Sequence, residues 1–336
     1  MQPKKLINEP NQVVSESIRG LMKTYPGYYQ KAEGFDVLYQ SPKQNQVSLV
    51  SGGGSGHEPM LLGLIGENML TGAAVGNVFT SPDPQTILTA IEAVESSAGV
   101  LSIVWNYAGD RMNFEMAQEL AEMRGIKNAM VIVNDDIASA SMGNRAERRG
   151  VAGMLFVAKI AGAAASLGYD LSKVKEITQA AVDNTRSMGI ALTACSIPGK
   201  MENFTIEKDQ YEYGMGIHGE PGIKTEDFEE VHKIVKKMMD DLVDDFGLEY
   251  LQQEDVAVLV NGMAATTSLE LYLVVNEVTN YLSEKGIRIH DIEAGKYCTA
   301  LEMAGISLTL MHMNEERRTL YDLPASTPFY SHNVGG

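Results

Sequence analysis

Along residues 47–187, short runs of nearly continuous apolar residues alternate with longer stretches whose apolar positions recur every three or four residues. The runs at 47–50, 100–104 and 129–133 have the length and β-branched content of buried strands, and the stretches at 84–95, 113–124, 151–167 and 171–187 carry the helical period. Strand and helix in alternation predict an α/β domain with a largely parallel sheet. From about residue 190 the rhythm changes. Strands are predicted at 190–196 and 211–217 without a helix between them, then a charged helix at 225–245. Three more strands are predicted at 256–260, 287–292 and 306–312, the first two joined by a helix at 267–284. The change of rhythm divides the chain into two α/β domains, 1–189 and 190–336.

Composition narrows the classes of function. Lys and Arg number 27 against 44 Asp and Glu, a net charge of −17, which argues against a nucleic-acid or anionic-membrane surface and suits a protein that handles small molecules. Glycine is abundant, 32 of 336 residues without collagen periodicity, so tight loops at strand ends are expected. Two cysteines, Cys195 and Cys298, cannot make a disulfide framework or a four-cysteine zinc site, and a reducing cytoplasm is expected. The lysines near the N-terminus have no apolar segment behind them, so no signal peptide is expected; the apolar stretch at 151–165 is short and carries Lys159.

Three places have the makings of chemistry. After the first strand comes Ser51-Gly52-Gly53-Gly54-Ser55-Gly56-His57-Glu58-Pro59. Such a stretch can cradle a phosphate with backbone N–H groups, but it lacks the Gly-Lys-Ser/Thr ending of a P-loop, and His57 stands where the dinucleotide fingerprint needs its third glycine. Two readings remain: a bare backbone that lets a small ligand approach beside His57, or a tight strand-to-helix turn. Asp110 follows the strand at 100–104 and the turn Tyr107-Ala108-Gly109, which places it at the carboxyl edge of the sheet, where open α/β folds bind ligands. It is either a general base toward a hydroxyl or the N-cap of the next helix. His218 lies in Gly214-Met215-Gly216-Ile217-His218-Gly219-Glu220-Pro221-Gly222, with little bulk around it. A neutral imidazole nitrogen is a nucleophile, and Glu220 is placed to orient it; the alternative is a β-turn with an incidental histidine.

The other histidines carry less. His57, His218, His232, His290, His312 and His332 show no HxxxH or HxH spacing and no nearby cysteine, so no metal site is expected. His232 reads as solvated on a charged helix, and His290 and His312 as surface positions of strands. Gly53-Gly54-Ser55-Gly56-His57 misses the last glycine of a serine-nucleophile elbow.

Taken together and in order, Ser51 to Pro59, Asn106-Tyr107-Ala108-Gly109-Asp110, Arg148-Arg149-Gly150-Val151-Ala152-Gly153 and Gly216 to Gly222 resemble the substrate-binding K subunit of dihydroxyacetone kinases. The likeness continues through Phe79-Thr80-Ser81-Pro82, Val260-Asn261-Gly262 and the segment at 303–309, so it covers nearly the whole chain. It implies a two-domain α/β architecture, related to that of DegV-type lipid carriers, and a homodimer. It implies that His218 adds through its ring nitrogen to the ketone carbon of dihydroxyacetone as a hemiaminal. By the same likeness Asp110 takes the proton of the hydroxyl to be phosphorylated, and His57 binds substrate and shares the acid–base work. Gly54, Ser55 and Gly56 are the backbone that approaches the substrate. No P-loop, kinase loop or Asp-rich magnesium motif is present. The resemblance therefore puts ADP or ATP and Mg²⁺ on a partner L subunit, recharged from phosphoenolpyruvate through an M protein of the phosphotransferase system, and no cofactor on this chain. Three departures stand out: Trp105 where the family usually has a substrate-binding Lys, Leu61 in place of a second His, and Ala264 in place of a Gly. A second reading is a K-like coactivator that senses dihydroxyacetone and binds a transcription factor. A third is a lipid carrier, which the reactive histidine motif disfavours.

Overall fold

The computed structural model describes residues 4–200, 204–220 and 222–333. The first half builds a six-stranded sheet from β1 (Gln30–Lys31), β2 (Val37–Tyr39), β3 (Ser48–Ser55), β4 (Gly72–Val78), β5 (Val100–Trp105) and β6 (Asn128–Val133), in the order β1-β2-β4-β3-β5-β6. The four strands β4, β3, β5 and β6 are parallel, as the alternating pattern predicted. Its helices are α1 (Val13–Thr24), α2 (Pro84–Ala93), α3 (Ala108–Met123), α4 (Met154–Ser166) and α5 (Leu171–Asp183). Asp83 caps α2 by accepting from the N–H groups of Gln85 and Thr86, with Pro84 in the first turn, where a missing N–H costs nothing.

The second half builds another six-stranded sheet from β7 (Thr185–Ala191), β8 (Gln210–Tyr213), β9 (Lys224–Asp227), β10 (Asp255–Gly262), β11 (Ile289–Gly295) and β12 (Gly305–Met313), ordered β11-β10-β12-β7-β8-β9. Only β10 and β11 are parallel, and α8 (Ser268–Glu284) joins them. A complete capping box starts that helix, with Thr267 and Glu270 each satisfying the other's backbone N–H. Helices α6 (Val231–Phe246), α7 (Leu248–Gln253) and α8 contribute to the core on one face of this sheet. The chain ends with α9 (Glu315–Tyr321) and a hairpin of β13 (Ala325–Ser326) and β14 (Ser331–His332).

The expected α/β architecture with two sheets is what forms. The two halves share one core: Leu49, Leu101 and Ile103 of the first sheet and Ala257, Leu259 and Met311 of the second belong to one cluster with α4. Every residue of α4 from 154 to 165 is buried, Lys159 included, as befits a helix otherwise apolar on every face. Residue 190, where the sequence pattern changes, lies inside β7.

Several expectations need correcting. The glycine-rich segment is not a loop; Gly52, Gly53 and Gly54 pair with β4 inside β3. The helix expected over 171–187 ends at Asp183, because Thr185 to Ala191 pair with β12 over seven residues, a ladder that local periodicity does not register. The charged helix begins at Val231, and Lys224–Asp227 is an edge strand. β4 went unrecognised because Gly72-Ala73-Ala74-Val75-Gly76 has little strand propensity; small residues stand there because a Cβ on Gly76 would fall 2.1 Å from the Thr80 carbonyl oxygen. His312 is not a surface residue: it is 3% exposed and stacks on Tyr250 at 4.0 Å.

Candidate active site

His57 follows the glycine strand, and the glycines are what allow its surroundings to close. A Cβ on Gly52 would lie 2.6 Å from the Ala74 carbonyl oxygen, and one on Gly54 would lie 2.6 Å from the Thr80 nitrogen. Gly56 has φ +107°, and a Cβ there would press on the Phe79 ring at 2.8 Å. The bare backbone therefore admits protein on these faces rather than a phosphate. Phe79 in turn stacks on the His57 ring, with centroids 5.0 Å apart.

The tautomer of His57 is set from the other half of the chain. Asn261, at the end of β10, accepts from the N–H groups of Tyr297 and Cys298 and donates to the Cys298 carbonyl. The segment so pinned places the Thr299 carbonyl 2.8 Å from His57 Nδ1. Nδ1–H donates there, and Nε2 is left with a lone pair. Burial, followed by the neighbouring His218, lowers the His57 pKa to about 3, so the ring is neutral at physiological pH.

His218 sits on the connection between β8 and β9, and its Nε2 lies 3.0 Å from Nε2 of His57. On the opposite side Nδ1 faces a Glu220 carboxylate oxygen at 3.3 Å, while the second oxygen accepts from the His218 backbone N–H at 2.9 Å. Burial alone would raise the Glu220 pKa, but His218 and Arg149 together hold it down to about 2. Arg149 is anchored on Asp136 and on the Gly214 carbonyl. The Tyr107 and Phe79 rings stand nearly perpendicular to the His218 ring, with centroids 4.4 and 5.2 Å away. Pro221 of this motif lies outside the described residues.

Asp110 is not an N-cap. Tyr107 holds that position and α3 starts at Ala108, so Asp110 lies in the first turn of the helix. It is 5% exposed, and its Oδ1 has no hydrogen-bond partner. Burial raises its pKa to about 6, against the lowering effect of Ser81 and His218. A buried carboxylate with its pKa near 6, an oxygen free of hydrogen bonds and His218 close enough to act on its charge is suited to accept a proton from a bound hydroxyl.

Trp105 stands behind this arrangement rather than in it. The ring is fully buried, its Nε1–H donates to the Val151 carbonyl at 3.0 Å, and it packs nearly perpendicular to the His57 ring with centroids 5.4 Å apart. Ser55 spends its hydroxyl on the Gly76 carbonyl. Leu61 is buried against the Gly53 position, and the Ala264 carbonyl accepts from Lys296. Sequence reasoning did not single out Thr299, Asn261, Tyr107 or Arg149 as parts of the site. Asn261, Tyr107 and Arg149 were quoted within motifs, and a buried Asn between an apolar strand and a glycine was the available signal.

With the geometry in hand, comparison with known proteins decides the family: the Dak1 domain matches residues 19–329. This chain belongs to the Dak1 family. Over 320 residues the Dak1 chain is 41% identical to the dihydroxyacetone-binding subunit of the PTS-dependent dihydroxyacetone kinase of Lactococcus lactis, covering 94% of this chain and 96% of that protein. Among solved structures, the dihydroxyacetone kinase of C. freundii superposes with a TM-score of 0.90 at 34% identity, covering 99% of this chain and 61% of that one. The Dak1 chain thus spans about three-fifths of that longer kinase. The dihydroxyacetone kinase operon co-activator Dha-DhaQ superposes with a TM-score of 0.89 at 31% identity, covering 95% of this chain and 98% of that one. The resemblance read from the motifs is borne out. Among the described residues, no helix is long and apolar enough to cross a membrane.

Proposed function

We propose that the chain is the substrate-binding subunit of a phosphoenolpyruvate-dependent dihydroxyacetone kinase of the phosphotransferase-system type, capturing a short ketose on His218 and presenting its hydroxyl for phosphorylation. The observation that carries this reading is His218 held between Glu220 at Nδ1 and neutral His57 at Nε2, with the free carboxylate oxygen of Asp110 nearby. When the His218 ring holds both protons, the Nδ1–H faces Glu220 and the Nε2–H faces the His57 lone pair. Passing the Nε2 proton to His57 frees a lone pair that bonds to the ketone carbon. The carbonyl π pair goes to oxygen, and His57, whose basicity is low, returns the proton there to give the hemiaminal hydroxyl. The new cationic ring is paired with Glu220. Capture by a carbon–nitrogen bond selects a ketone over glycerol and fixes the terminal hydroxyl, whose proton Asp110 takes as the hydroxyl attacks phosphorus.

The phosphoryl donor belongs to a partner in this reading. Gly52 is paired on both sides and Gly53 and Gly54 are paired with β4, and the carboxylates assigned to the site are the proton acceptor Asp110 and the Arg149-bound Glu220. That donor set does not fit a magnesium nucleotide, so no step is routed through one on this chain. ADP or ATP and Mg²⁺ reside on the L subunit, which an M protein recharges, and the K subunit acts as a homodimer.

A second reading, a ketose-sensing coactivator that binds a transcription factor, has the likeness to the co-activator structure in its favour. A sensor needs only His218, and the buried Asp110 with its free oxygen favours the kinase. The test is carbonyl-¹³C dihydroxyacetone with the purified protein, followed by NMR. A tetrahedral carbon signal with wild type and none with His218→Ala is expected; no signal with wild type overturns covalent capture. Adding an L subunit and its phosphoenolpyruvate-driven donor then separates the two readings, because turnover is expected from a kinase and none from a coactivator.

A further inference from the structure

Remote from the His57–His218 pair in sequence, three potential ligands meet that no short spacing connects. Asp291 and Glu293 lie two residues apart on β11, the edge strand of the second sheet, so their side chains leave the same face. His332, on the terminal hairpin strand β14, brings Nδ1 to 3.5 Å from a Glu293 oxygen and 3.9 Å from an Asp291 oxygen. One ligand atom from each of the three lies within 4.8 Å of the others. We propose that Asp291, Glu293 and His332 bind one divalent transition-metal ion of the zinc class, tying the C-terminal hairpin to the open edge of the second sheet.

The geometry suits such an ion. With metal–ligand bonds of about 2.1 Å, the two separations correspond to angles of roughly 113° and 136° at the metal, within the range of a distorted four-coordinate centre. One imidazole nitrogen with two carboxylate oxygens is a donor set for zinc, cobalt or manganese rather than for calcium. Both carboxylates are already oriented from outside: the Tyr321 hydroxyl donates to Asp291 at 2.9 Å and the Tyr297 hydroxyl to Glu293 at 3.3 Å. Outer hydrogen bonds of this kind hold ligands in place at metal centres.

Two further observations point to a ligand. Tyr330 is 3% exposed, and its hydroxyl leans toward Glu293 without a hydrogen bond of ordinary length and angle. A water completing the coordination of the ion would give that hydroxyl a partner. The charge is also unbalanced, since among the described residues the only ion-pair partner of either carboxylate is His332. Lys159, which feels Glu293, directs its ammonium at the carbonyls of Leu320 and Leu323. A divalent cation balances both carboxylates.

The test is calorimetric titration of the chelator-treated full chain with ZnCl₂, alongside MgCl₂. One equivalent of zinc is expected to bind, and magnesium much more weakly. His332→Gln and Glu293→Gln are each expected to weaken zinc binding by about a hundredfold, and Tyr321→Phe by roughly tenfold. Histidine ¹⁵N NMR of the wild-type zinc complex supplies a readout that does not depend on any variant folding: one ring coordinated through Nδ1 is expected, with the Nε2 nitrogens of His57 and His218 unshifted. Absence of saturable zinc binding overturns the proposal. So does affinity unchanged in a folded His332→Gln protein, or a coordinated ring that disappears in His218→Ala.

Discussion

The two histidines of the site come from regions that use the same residue type for opposite ends. Around His57, glycines are required because backbone from β4 and from Phe79–Thr80 occupies the space of a side chain, and the result is a sealed wall in which His57 is 1% exposed. Around His218, a Cβ on Gly216 would meet the ends of Glu220 and Arg149, so the glycine makes room for the charged pair that holds the ring. There the His218 side chain keeps 18% of its surface exposed. In the first region burial keeps His57 neutral, whereas in the second His218 and Arg149 hold the Glu220 carboxylate ionised. In the proposed reaction, proton transfer falls to the buried region and bond formation to the more open one.

That division can be broken in several ways. Asp110→Asn is expected to lower turnover by about 10²–10⁴-fold while leaving the tetrahedral capture signal intact. The wild-type rate should fall on the acid side with a midpoint near pH 6, because the base must be ionised and burial has raised its pKa to that value. A variant that turns over normally would place the base elsewhere. Next in size is a pair of glycine changes. Gly54→Ala should cost about 3 kcal/mol in urea denaturation, since backbone 2.6 Å away cannot yield. Gly216→Ala meets flexible side-chain ends and should cost less than about 1 kcal/mol, yet weaken capture by disturbing Glu220. Equal stability losses would erase the contrast between wall and loop.

A smaller effect tests the same buried carboxylate from the side of folding. At low pH Asp110 is protonated in both states; as pH rises past its ordinary value of 3.8 the unfolded chain ionises while the native group waits until about 6. Stability is therefore lost across that window and stays lost above it. Asp110→Asn should stabilise the protein by about 2 kcal/mol at pH 8, with the gain shrinking toward pH 4. A variant less stable than wild type at pH 8 would mean that the ionised carboxylate has partners that hold it. Smallest of all, Trp105→Phe leaves the Val151 carbonyl without its donor and should cost about 1–2 kcal/mol, with capture changed less than about twofold. A large loss of capture would show that the indole reaches the ketose after all.

Much of this was legible along the chain. The apolar runs at 100–104 and 129–133 became β5 and β6, and the stretch at 151–167 became the helix α4, whose burial only the structure shows. The glycine-flanked histidines and Asp110 stood out because their residue types are costly or unusual in ordinary strands and helices. What failed was whatever depends on a partner far away in sequence. β7 was misplaced because its ladder partner is β12, and β4 was missed because small residues there answer to Thr80 rather than to strand propensity.

The sequence by itself determined the alternation of elements, the charge balance and the residues able to do chemistry, since these follow from local period and residue type. Tertiary structure alone decided that His57 donates to Thr299 and accepts from His218, that Trp105 is buried with its N–H on the Val151 carbonyl, and that Asp110 is sealed in the first turn of α3 instead of capping it. The physical reason is that a proton's place on an imidazole, or on a carboxylate, is fixed by burial and by contacts across the two sheets. Those contacts exist only once the shared core has brought the halves together.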